Sequence, residues 1–288
     1  MEKKDRLTGA KISVFFLLVA LLTAGLLSCS EKVTDDFVYD TAKSFEFRDV
    51  QYGSEVRQKM NVFLPASRSH DSTNVIVLIH GGGWVSGDKN DFDTFGNAFR
   101  IQGIAAVTMN YRYADAAKGI DYSDLLDDVG SALKCLADSS RRYTVKAENI
   151  CLLGHSAGGH LALLYAYSRN SDRKVGKVVS LAGPTDLDDK LFLSISGVTD
   201  LVNELTGYNT SKRVDASPVN HASAVTTYLY HGKSDAIVPW QQSEKLFSLI
   251  SNRNPKNKIS LIENCGHGFN FYEFGRILEE TVALITKN

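Results

Sequence analysis

Residues Ile150-Cys151-Leu152-Leu153-Gly154-His155-Ser156-Ala157-Gly158-Gly159-His160-Leu161 read as a strand that runs straight into a helix through Gly-x-Ser-x-Gly. Ile150 to Leu153 is an unbroken apolar run, and Leu161 to Tyr167 opens an apolar helix immediately after the glycine pair. The turn between them must be very sharp to lift the serine oxygen clear of a sheet, which puts Ser156 in a strained backbone conformation. Gly154 and Gly158 lack the β-carbons that would clash across that turn, and Gly159 lets the helix lie close to the strand. The positive end of the helix dipole under Ser156 favours developing negative charge. Gly and Ser at ordinary frequencies produce the bare five-residue pattern in about one chain in ten. The strand before it, the helix after it and the extra Gly159 give it weight.

Working outward, Val75 to Ile79, Ala105 to Met109, Lys177 to Leu181 and Thr227 to Tyr230 are further short apolar runs, and Lys258 to Ile262 reads as one more strand. Strands buried on both faces look like this, which is the habit of parallel sheets. Helical spacing lies between them: Tyr122, Leu125, Leu126, Val129, Leu133 and Leu136, then Pro239 to Ile250, then Gly268 to Ile285. The alternation predicts an α/β fold with a mostly parallel, doubly wound sheet. Phe45, Phe47 and Val50, then Met60, Val62 and Leu64, alternate with polar residues. They predict two half-buried antiparallel strands at the N-terminal edge. Leu187 to Ala224 has no clear strand and carries Phe192, Leu201, Leu205 and Tyr208. It is expected to form a small lid over the strand ends, the alternative being an ordinary long connection.

His80-Gly81-Gly82-Gly83-Trp84 follows the Val75 to Ile79 strand. Three glycines allow backbone N–H groups to converge on one point, as an oxyanion requires. Gly82 and Gly83 are assigned to that hole, with the N–H of Ala157 as a third donor. A phosphate-binding loop is the competing reading, but no GxGxxG and no GKS/T follows. Ser156 needs a base, because a free serine hydroxyl is a poor nucleophile. Of seven histidines, His267 is the last, in the loop Asn264 to Phe269 after the Lys258 to Ile262 strand. His70 and His221 lie in polar connections, His80 reads as a structural hydrogen-bonder, and His155 and His160 flank the serine without facing it. The base needs a carboxylate to fix its tautomer. Asp235, in His231-Gly232-Lys233-Ser234-Asp235 just beyond an apolar strand, is the first choice and Asp186 the second. The chain order Ser156, Asp235, His267 is that of the α/β-hydrolases.

HGGGW, GHSAGG, HGKSDAIVP and GHGF together resemble the α/β-hydrolase esterases, from about Phe45 to the C-terminus. The resemblance is nearest to the group holding hormone-sensitive-lipase-like and BD-FAE-like (feruloyl and acetyl esterase) enzymes. Asn110-Tyr111-Arg112 occupies that group's usual place after the fourth strand, and Trp84 with Gly87-Asp88-Lys89 resembles the BD-FAE side. The short lid, and Ala224-Val225 in place of a proline pair before the seventh strand, depart from the pattern and leave substrate preference open. The resemblance implies hydrolysis of short-chain esters through an acyl-enzyme, acting on a small ester or an acylated glycan, with no metal or organic cofactor. Amide or peptide cleavage by the same triad, and a non-catalytic glycan-binding lipoprotein, are the alternatives. Phe192, Tyr208 and Trp240 are candidates to touch substrate, against a simple packing role.

The first residues carry a different message. Lys3, Lys4, Arg6 and Lys11 precede the apolar run Ile12 to Leu27, which is shorter than the roughly 20 residues a membrane span needs. Residues 1–28 therefore read as a signal peptide. Leu26-Leu27-Ser28-Cys29 resembles a bacterial lipobox, which makes Cys29 a lipidation site and residues 29–43 a tether, with residues 44–288 as the hydrolase domain and 187–224 as its lid insertion. An uncleaved anchor with a buried Cys29 is the other reading. Ser30-Glu31-Lys32 resembles surface-export signals of Bacteroidetes lipoproteins. The expected location is therefore a membrane-anchored, exported bacterial lipoprotein facing the periplasm or cell surface. Cys135, Cys151 and Cys265 are expected to be free thiols, the first two in a buried helix face and a central strand. A formal net charge of −1 without any basic run gives no sign of a nucleic-acid partner.

Overall fold

The computed structural model describes residues 37–287. The calls on residues 1–28 and on Cys29 lie outside the described residues. Eight strands form a single sheet in the order β1-β2-β4-β3-β5-β6-β7-β8: β1 (Phe45–Gln51), β2 (Lys59–Leu64), β3 (Val75–Ile79), β4 (Ala105–Met109), β5 (Ile150–His155), β6 (Val175–Leu181), β7 (Thr226–Gly232) and β8 (Lys258–Ile262). β1 pairs antiparallel with β2, and β2 antiparallel with β4; every pairing from β4 to β8 is parallel.

Side chains alternate across the sheet, and each face builds its own core. Val75, Val77 and Ile79 point to one side, where Leu125, Val129 and Leu133 of α2 (Tyr122–Tyr143), Leu161 and Leu164 of α3 (Ala157–Ser168) and Leu246 of α7 (Gln241–Ile250) cover them. Ile76 and Leu78 point to the other side, under Phe99 of α1 (Asp93–Ile101) and Ile277 and Leu284 of α8 (Phe271–Thr286). Each such buried aliphatic side chain contributes about 1.5–3 kcal/mol relative to exposure. Two faces so covered explain why the central strands are continuous apolar runs.

One expectation needs correction. β1 is half-buried and alternating, but β2 is buried from Met60 to Leu64. It is an interior strand between β1 and β4, with Val62 in one core and Phe63 in the other. The buried Asn61 that gave the alternation is satisfied rather than exposed: its Nδ2 donates to Asn90 Oδ1 and Asp93 Oδ1, both at 3.0 Å.

Between β6 and β7 the chain forms three short helices, α4 (Lys190–Leu193), α5 (Val198–Thr206) and α6 (Ser211–Asp215), and the 3-10 turn Pro218–His221. Val202 and Leu205 are fully buried. Glu204 Oε1 accepts from Ala116 N at 2.7 Å, and Lys212 pairs with Asp121. This segment is therefore pinned to the body of the domain. Among the described residues no helix is long and apolar enough to cross a membrane. Cys135, Cys151 and Cys265 are free thiols, with Cys135 only half-buried.

Candidate active site

The strand-to-helix turn places Ser156 at φ 53° and ψ −123°, a conformation that costs of order 1–3 kcal/mol for a residue with a β-carbon. The neighbouring glycines explain how the turn closes. A β-carbon on Gly154 would lie 2.1 Å from Gly158 O, and one on Gly158 would lie 2.0 Å from Ile79 O. Ser156 N donates to Leu181 O at 2.8 Å, which ties the turn to β6.

Gly82, Gly83 and Ala157 line one cavity of about 260 Å³ together with Ser156 and His267. The N–H groups of these three residues have no acceptor among the described residues. Gly82 and Gly83 reach this arrangement at φ 111° and 58°. The loop is held from behind. Tyr111 stacks on His80 at 4.3 Å and its hydroxyl donates to His80 O at 3.2 Å. Asn110 accepts from Lys89 N and donates to Asp88 Oδ2. Gly87 O accepts from Arg57 and from the Tyr113 hydroxyl. Arg112 forks onto the fully buried Asp128 carboxylate, with Nη2 at 2.8 Å from Oδ1. The Asn110-Tyr111-Arg112 stretch is thus a brace for the glycine loop.

Asp235 and His267 stand on the loops after β7 and β8. His267 Nδ1–H donates to Asp235 Oδ2 at 2.7 Å. The other carboxylate oxygen, Oδ1, accepts from Ile237 N at 2.8 Å and Val238 N at 2.9 Å. Burial would raise the Asp235 carboxyl, but the donated bonds from His231, His267 and the backbone outweigh it and hold the group far below the usual carboxylate range. Among the described residues only Oδ2 receives His267 Nδ1–H, which leaves Nε2 as the ring nitrogen without a partner. Ser156 Oγ and the His267 ring share the cavity without a direct hydrogen bond between them, a separation common in unliganded hydrolases.

Asp186 stands apart, paired with Lys245. His70 is exposed and His221 is bonded to Asp215 O. Phe192 lines the cavity, Tyr208 is exposed, and Trp240 lies under Lys233. Two residues without a role in the sequence reading stand out. His231 is fully buried; its Nδ1 accepts from Ser243 Oγ, and its Nε2–H points to Val238 O at 2.9 Å and Asp235 Oδ2 at 3.2 Å. It is a donor beside the carboxylate, and its position at the head of HGKSD was the available signal. His155 donates from Nε2 to His267 O at 2.8 Å, so it braces the histidine loop.

His80, His155 and His160 are kept neutral by burial, which pushes each imidazole down to about 4. His160 Nδ1 accepts from the Trp84 indole at 3.1 Å while Nε2–H donates to Ala216 O at 2.7 Å. The folded values lie below the ordinary one near 6.5, so the unfolded chain takes up protons first. Their stabilisation is complete above about pH 6.5 and is lost as pH falls toward 4, by up to about 3 kcal/mol per histidine. Thermal midpoints measured from pH 8 to 4.5 are expected to fall steeply below pH 6.5, and His160→Gln is expected to flatten that slope. Parallel slopes would rule this account out.

A mostly parallel eight-stranded sheet in this order, with a serine on a strained turn after β5 and an aspartate–histidine pair on the loops after β7 and β8, defines the α/β-hydrolase class. Residues 60–250 match the family model BD-FAE, and the chain belongs to that family. It is similar to a probable isoprenylcysteine alpha-carbonyl methylesterase of Oryza sativa subsp. japonica, at 24% identity over 83% of this chain and 62% of the relative. It is also similar to esterase LipC of Mycobacterium tuberculosis, at 23% identity over 80% of this chain and 61% of the relative. The chain thus spans about three fifths of the length of these curated relatives. Among solved structures, a truncated carbohydrate esterase from gut microbiota superposes with a TM-score of 0.70 at 19% identity, covering 88% of this chain and 99% of that one. A bifunctional GH43-CE protein of Bacteroides eggerthii gives 0.69 at 21% identity, over 83% of this chain and 38% of that one. Among the described residues no group of three or more His, Cys, Asp or Glu is arranged to hold a metal ion.

Proposed function

We propose that the protein hydrolyses short-chain carboxylic esters through an acyl-enzyme on Ser156. The observation that carries this reading is one cavity joining Ser156, the His267 ring and three unsatisfied backbone N–H groups. Ser156 Oγ attacks the ester carbonyl as His267 Nε2 takes its proton. The N–H groups of Gly82, Gly83 and Ala157 receive the oxyanion, where losing one donor typically costs ~2.7–4 kcal/mol. Asp235 keeps His267 in the tautomer whose Nε2 can accept. His267 then protonates the departing alcohol, and water, activated by the same imidazole, releases the acid.

The cavity volume of about 260 Å³ is below the ~300–1,000 Å³ of sites for drug-sized ligands, which favours small acyl groups. The names of the carbohydrate esterase and GH43-CE neighbours support acylated glycans as the natural substrates. The test is a p-nitrophenyl ester series from acetate to laurate, run beside matched p-nitroanilides. Rates should be highest for acetate to butyrate, fall with longer chains, and exceed the anilide rates. Anilides turned over faster than esters would establish an amidase. No turnover of either series would leave a glycan-binding protein.

A further inference from the structure

A second and larger cleft, about 660 Å³, opens beside the Ser156 cavity, and the two share only Gly82 and His155 in their walls. Its lining is dominated by rings: Phe92 and Phe95 from the N-terminal end of α1, and Phe271 and Phe274 from the start of α8. The rings form a continuous path from the imidazole. His267 lies 4.8 Å from His155, His155 6.3 Å from Phe269, Phe269 6.0 Å from Phe274, and Phe274 5.0 Å from Phe95. At the lip, Phe271 is 95% exposed, a large apolar ring that nothing in the fold requires to be there.

We propose that this cleft receives the alcohol half of the ester, and that this half presents a flat apolar ring face close to the ester oxygen; the proposal rests on the esterase reading above. When the tetrahedral adduct collapses, the ester C–O bond breaks, the imidazolium of His267 hands its proton to the departing oxygen, and the acyl group stays on Ser156. The alcohol must therefore leave on the imidazole side. The aromatic cleft adjoins the imidazole through His155, whose ring lies 4.8 Å from that of His267, and its far wall is α8, the helix that follows the His267 loop; His267 itself lines the smaller cavity. The smaller cavity is closed instead by Phe192, Val198 and Leu201, and takes the acyl half. Aromatic rings recognise a flat apolar face, either of an arene or of the C–H side of a pyranose.

The experiment compares kcat/KM for benzyl and 2-naphthylmethyl acetate, and for a monoacetylated methyl xyloside, each relative to ethyl acetate, in the full chain and in Phe271→Ala. Because Phe271 is almost fully exposed, its truncation leaves the core intact. The ratio for the ring-bearing esters is expected to drop on the order of five- to tenfold. A drop confined to the arylmethyl pair identifies an aryl alcohol, and one confined to the xyloside identifies a sugar face. The affinity of free 2-naphthylmethanol, measured by calorimetry, provides a readout independent of turnover and is expected to weaken in parallel if the ring is an arene. Ratios unchanged in Phe271→Ala overturn the proposal. If no ester is hydrolysed but naphthylmethanol binding is still lost in the variant, the esterase reading fails and the cleft remains a ring-binding site without an alcohol role.

Discussion

Ser156→Ala is expected to lower ester turnover by at least about 10⁴-fold while the thermal midpoint stays within a few degrees of the parent. The two halves of this result come from different features. Turnover collapses because, among the described residues, no other hydroxyl or thiol is placed both against the His267 cavity and beside the N–H groups of Gly82, Gly83 and Ala157. Stability is spared because Ser156 Oγ makes no hydrogen bond among the described residues. The bonds that fix the turn are made by the backbone: Ser156 N to Leu181 O, and His160 N to Ser156 O. Alanine inherits the same strained φ, so no strain is gained or released. Stopped turnover with an unchanged melt separates loss of the nucleophile from loss of the fold. Turnover that survives in the variant would remove Ser156 from the mechanism.

Asp235→Asn is expected to cost on the order of 10⁴ in kcat by a subtler route. Four donors aim at this carboxylate: His267 Nδ1, His231 Nε2 and the amides of Ile237 and Val238. An asparagine has one oxygen to offer, and the two backbone amides cannot turn away, so the oxygen goes to them. Its NH₂ group then faces His267 Nδ1, which must become an acceptor and move the ring proton to Nε2. An Nε2–H cannot take a proton from Ser156. The check is kcat together with the proton NMR spectrum, where the strongly downfield imidazole N–H resonance of the parent should vanish. A variant that retains kcat within tenfold would show that His267 is oriented by some other group.

Both predictions rest on residues that could be read before any coordinates. Gly154 and Gly158 advertise the turn because only glycine fits within about 2 Å of the facing carbonyls. Asp235 and His267 advertise themselves by lying just past apolar strands late in the chain. Other parts were hidden for physical reasons. Helix α1 escaped notice because Gly96 interrupts it, and glycine is a poor helix former; here it is required, since a β-carbon would stand 2.8 Å from the Phe63 ring. Helix α8 begins at Phe271 rather than Gly268 because Asn270 caps it, accepting from Glu273 N at 2.9 Å. That shift of a few residues decides which aromatic side chains face a cleft and which pack. Periodicity alone marks a residue as apolar and on a given face; it does not say whether that face meets protein or an opening. The bracing roles of His155 and His231 were hidden for a related reason, since they depend on carbonyl and hydroxyl partners supplied by other loops.

His155 does two jobs at once. It is the partition between the two cavities, and its Nε2–H is the latch on the loop that presents His267. Any replacement made to widen either compartment also releases the carrier of the base. Selectivity and rate are therefore genetically linked at position 155: a mutational library aimed at new substrates will find its range-broadening variants there already slowed. Independent tuning is available only at the outer walls, Leu201 for one half of the ester and Phe95 for the other.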